Sequence, residues 1–207
     1  MITSKKHSYI FNMVVLALLT ALILVLSILG VGIKLPIPGT TNISLTLIPI
    51  ALGAMILGPV SGAFLGFVFG LESYIAGGVM GLDFFTLTLF TDHPVMTGLI
   101  CILKTTLAGL AAGFVFKALK NKNMLLAVFL SAGVVPLVNT GIFILGCFTI
   151  LDTIKGIAAQ NGATVMYFLF IGCAGLNFIC EFVLNMVFSP ALYRIIIAVK
   201  KIIQKNH

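Results

Sequence analysis

Charge is scarce in this chain: 8% of its 207 residues are charged, only five of them acidic, against 60% hydrophobic. So little polar surface cannot cover a water-soluble body of this length, which leaves an integral membrane protein. Histidine is nearly missing too. His7, His93 and His207 are too few, and two lie too near the ends, to build a Ser-His-Asp triad or an HExxH zinc site in a membrane. The cysteines Cys101, Cys147, Cys173 and Cys180 fall in apolar runs without CxxC spacing, so they read as small packing residues rather than zinc ligands or disulfide partners. A Walker A loop is also lacking. Residues 98–105 come closest, but Leu103 stands where glycine must precede the lysine.

What the chain does have is apolar length. A span needs ~20 residues to cross ~30 Å of hydrocarbon, and the sequence holds enough for about six. The expected spans are 10–30, 44–57, 59–78, 98–118, 124–149 and 164–188, the last ending before Pro190. The run after Lys5 and Lys6 exceeds the ~7–15 residues of a signal core and no A-x-A-like site follows it, so a retained first helix is expected. Loops are predicted at 31–43, which holds two prolines, at 78–97, where 84–90 is apolar enough to dip into the interface, and at 151–163. Nothing is left over for a second domain, so residues 1–207 read as one transmembrane unit.

Segment 44–72 organises the rest. It turns at Gly58-Pro59, where glycine permits an unusual backbone and proline suits the first turn of a new helix. Glycines 58, 62, 66 and 70 then share one helical face on which a second helix backbone can approach closely, a packing surface inside the bilayer and a candidate docking face.

Cationic residues set the orientation. With both termini cytoplasmic, that side holds Lys5, Lys6, Lys117, Lys120, Lys122, Arg194, Lys200, Lys201 and Lys205, against Lys34 and Lys155 outside. This bias fits only an even number of spans. The fold class expected is therefore an all-α bundle of six transmembrane helices with N- and C-termini in the cytoplasm. A fringe facing membrane lipid also accounts for the net charge of +7 without nucleic acid.

Polar groups at depth carry the functional signal, because each ionisable one costs roughly 2.5–3.5 kcal/mol to insert. At ~1.5 Å per residue, Glu72, Lys104 and Asn139 fall about 8–10 Å below the outer surface. Pro136 frees a carbonyl a turn below Asn139. Cys173, Asn177, Glu181, Asn185 and Ser189 share one inward face of the last helix, and Asn177 is expected to reach the layer. Glu181 falls near or below the midplane, where structural and functional roles stay open. Open too is whether Glu72 and Lys104 neutralise each other or hold a ligand.

The order of features resembles the substrate-binding S component of energy-coupling factor (ECF) vitamin transporters. The residues that carry the likeness are Ala17-Leu-Leu-Thr-Ala21, the loop 31–43, Leu57-Gly58-Pro59, and the run from Lys104 to Gly113. The resemblance implies a non-enzymatic subunit of a prokaryotic plasma membrane, without cofactor, that binds a vitamin or related micronutrient near the outer surface. It implies docking through Ala17 and Ala21 onto a transmembrane T component driven by two ATPase subunits. Glu72, Lys104, Asn139 and Asn177 are then the candidate substrate-binding residues. Lys104, the one cation at depth, favours a pantothenate-like anion over riboflavin. The alternative is a self-contained secondary transporter, against which stand the short spans and the lack of a half-to-half repeat.

Overall fold

In hydrocarbon, a helix alone satisfies its own backbone hydrogen bonds within one segment, so long apolar runs become helices. The computed structural model describes residues 2–30 and 44–205, and every regular element among them is helical. The helices are α1 (Ile2–Gly30), α2 (Leu47–Leu57), α3 (Pro59–Ser73, extended by a π-helical stretch Tyr74–Val79), α4 (Phe84–Asp92) and α5 (Pro94–Leu119). There follow α6 (Met124–Cys147), α7 (Leu151–Gln160), α8 (Val165–Tyr167), a second π-helical stretch Phe168–Cys173, and α9 (Ala174–Lys205). Five helical stretches among the described residues are long and apolar enough to cross a membrane, and α2 is a shorter apolar sixth. The loop expected at 31–43 lies outside the described residues.

At 11 residues α2 spans only roughly 16 Å, about half the hydrocarbon thickness. Its far end meets α3 in the expected tight turn. Gly58 takes φ 103° and ψ 176°, a conformation open to glycine, and Pro59 occupies the first turn of α3. With that turn at a membrane face, a helix of this length would begin partway through the hydrocarbon.

The glycine face of α3 is the expected packing surface for a second helix backbone, and because that helix is α5 of the same bundle the face is not left free for docking. A Cβ added to Gly62 would lie 2.5 Å from the Gly109 carbonyl oxygen, and one added to Gly70 would lie 2.6 Å from that of Cys101. Gly66 meets Thr105, and Gly113 meets Pro59, in the same way. Four-residue spacing on both helices produces one backbone-to-backbone seam.

Three expected boundaries differ. The loop 78–97 contains α4, capped by Asp83, whose carboxylate accepts from the Thr86 N–H at 2.9 Å and its hydroxyl at 2.6 Å. The loop 151–163 contains α7, which buries Thr153, Ile154, Ile157 and Ala158 along one face. The last helix runs through Pro190 instead of ending before it, since lipid and neighbouring helices tolerate one missing intrahelical bond. Helices α4 and α7 close one end of the bundle over a second apolar cluster that includes Phe85, Phe143, Ile154 and Leu169. Thr153 Oγ1 ties the two together by donating to Asp92 Oδ2 at 2.8 Å.

Candidate functional site

The α3–α5 seam and the antiparallel run of α5, α6 and α9 bring polar side chains from four helices to one place. Glu72 at the end of α3, Lys104 on α5, Asn139 on α6 and Asn177 on α9 all line a single cavity of about 90 Å³. It is half-open and roomy enough for several waters. The sequence-derived layer is thus assembled in space. Ala17 and Ala21 lie elsewhere, exposed on α1 while Leu19 and Ile23 of that helix are buried against the bundle.

The charges are held separately. Ser27 Oγ donates to Glu72 Oε2, fixing that carboxylate against the end of α1. Lys104 Nζ stands 5.2 Å from the centroid of the Phe143 ring, a cation–π contact. Among the described residues the ion pair within 4.0 Å is Lys155–Asp152 on the surface, so Glu72 and Lys104 do not form a packing pair. Lys104 therefore faces the cavity without a carboxylate in direct contact.

The cavity also has residues that depth counting missed. Glu181 lines it and is 1% exposed; Oε1 accepts from the Ser44 N–H at 3.2 Å and from Asn177 Nδ2 at 3.3 Å. The reason is the shortness of α2. Just ahead of it Ser44 bonds Glu181 on α9, and Ser44, Leu45 and Thr46 line the cavity together with Glu72, Lys104 and Asn139. Ser27, Asp83 and Thr86 complete the polar lining. Asp83 and Thr86 carried a legible signal, an acidic N-cap three residues before its partner, whereas nothing in the sequence marked Ser27. Both π-helical stretches belong to helices that reach the cavity, and Ala76 and Gly77 of the first line it; such stretches concentrate at functional sites.

Three buried oxygens on the cavity have no hydrogen-bond partner among the described residues: Thr46 Oγ1, Asn139 Oδ1 and Glu181 Oε2. No group of three His, Cys, Asp or Glu residues that could hold a metal occurs among the described residues. Cys101 is a buried free thiol, Cys180 a half-buried one, and Cys147 is buried in the second apolar cluster, in keeping with packing roles.

A polar, half-open cavity inside an apolar helical bundle suits a subunit that takes up a small molecule within the membrane. Comparison with curated proteins and with solved structures gives no match. A family model described as the ECF transporter, substrate-specific component, matches residues 11–193, nearly the whole chain and every helix that lines the cavity. The chain belongs to that family and is a substrate-specific membrane subunit of an ECF transporter.

Proposed function

We propose that this chain captures a vitamin or related micronutrient in the cavity on the outer side of a prokaryotic plasma membrane. It then docks through α1 onto an ECF T component powered by two ATPase subunits. The observation that carries the reading is the convergence of Glu72, Lys104, Asn139 and Asn177 on one cavity in a bundle otherwise poor in charge. Lys104, with no carboxylate in direct contact, is suited to the anionic group of a pantothenate-like ligand, and Asn139 and Asn177 to its neutral polar groups. Riboflavin, an uncharged ring, would offer that ammonium neutral oxygens and no opposite charge. Docking through α1 is supported by the exposure of Ala17 and Ala21, small residues one turn apart that let another helix approach.

Reconstitution tests this. Liposomes containing the chain alone should bind substrate without accumulating it, and uptake should require the T component, both ATPases and ATP. Accumulation driven by the chain alone would refute the reading and establish a secondary carrier.

A further inference from the structure

We propose that the ligand of this cavity carries O–H or N–H donors, and that Glu181 Oε2, Asn139 Oδ1 and Thr46 Oγ1 receive them; this rests on the cavity being the substrate site. Buried acceptors are nearly always paired in folded proteins, because an unpaired one loses its hydration without return. Here three such oxygens, on residues 1%, 7% and 1% exposed, line the same void. They come from three elements, the start of α2, α6 and α9, so a local distortion in one helix does not explain them.

The other two carboxylates of the cavity each have a donor in place on one oxygen. Glu72 is served by Ser27 and Asp83 by the first turn of α4. The Glu181 carboxylate accepts on Oε1 from the Ser44 N–H and Asn177 Nδ2, the Ser44 and Asn139 side chains also stand beside it, and Oε2 has no partner among the described residues. Thr46 stands at the N-cap of α2, yet its hydroxyl makes no capping bond. The site therefore has unpaired acceptors beside one ammonium, Lys104, which attracts the Glu181 carboxylate without touching it and is open to an acceptor from the ligand. A molecule that only accepts, such as a fatty carboxylate, meets Lys104 and leaves the rest unpaired. A polyfunctional molecule, with an anionic or carbonyl group and hydroxyl or amide N–H groups on one short skeleton, satisfies both. Glu181 is on this account a specificity-determining residue that rejects analogues stripped of donors.

The probe is the molecule released when wild-type protein purified from membranes is denatured, identified by mass spectrometry. Its mass shift in D2O counts exchangeable hydrogens, and at least two besides any acid proton are expected. The same molecule is titrated into emptied wild type, Glu181→Gln, Asn139→Leu and Thr46→Val. Glu181→Gln should weaken binding about tenfold or more and Thr46→Val about two- to tenfold. Thr46→Val removes a buried hydroxyl that has no partner among the described residues, so the melting temperature of the emptied protein should hold or rise while affinity falls. A purely structural hydroxyl gives the opposite pattern. If Glu181→Gln does not fold, Thr46→Val and Asn139→Leu decide. A released molecule without donors, or wild-type affinity in the folded variants, overturns the proposal and leaves the substrate-binding reading intact. Release of no molecule at all counts against that reading, and the proposal falls with it.

Discussion

Replacing Gly70 by alanine tests the packing on which the site depends. The new Cβ would lie 2.5 Å from Thr105 Oγ1, 2.6 Å from the Cys101 carbonyl oxygen and 2.7 Å from Ile102 Cα. Two of these three are backbone atoms of α5, which cannot rotate away. Restoring an ordinary 3.4 Å contact requires α3 and α5 to separate by roughly 0.8 Å at this level, an overpacking strain of about 1–3 kcal/mol. Alanine's better helix propensity returns at most ~1 kcal/mol. Gly141 on α6 is the matched control, because nothing lies within 4 Å of its added Cβ. Gly141→Ala should therefore be neutral or stabilising. The assay is loss of the monodisperse species on size-exclusion chromatography after heating in detergent, together with substrate titration. Gly70→Ala should melt several degrees lower and bind more weakly, since Glu72 on α3 and Lys104 on α5 flank the strained contact. Equal tolerance of both substitutions would refute the close α3–α5 seam.

Lys104→Met should weaken binding of an anionic substrate by about 2–5 kcal/mol, because it strips the partner from a buried ligand charge. A lower melting temperature with an unchanged dissociation constant would instead make Lys104 a packing residue held by Phe143. Ala17→Phe combined with Ala21→Phe should abolish uptake by the full transporter while the isolated subunit still binds, since both alanines face away from its core. Loss of binding together with intact assembly would place that face in the pocket. Single cysteines at Lys122 and Lys155, both exposed, should react with a membrane-impermeant maleimide from outside only at position 155. The reverse pattern would invert the topology.

Composition alone determined that this chain lives in a membrane as an all-α bundle, because no other arrangement hides so much apolar surface with so little charge. Depth along each helix was also legible, since a constant rise per residue converts position into height, and so Glu72, Lys104 and Asn139 could be placed at one level. Rotation was not legible. Only packing decided that Glu72 turns to Ser27 rather than Lys104, and that the glycine face of α3 is consumed by α5. Helices α4 and α7 escaped notice because they are short and bury one side against a cluster built from distant segments, where their polar residues looked like loop. The role of Glu181 stayed open for a related reason: it depends on Ser44, just ahead of the short α2, reaching α9 beside the cavity. Height is a property of one helix and can be counted along it, whereas a cavity is the space that several helices fail to fill, and that is decided only when they pack.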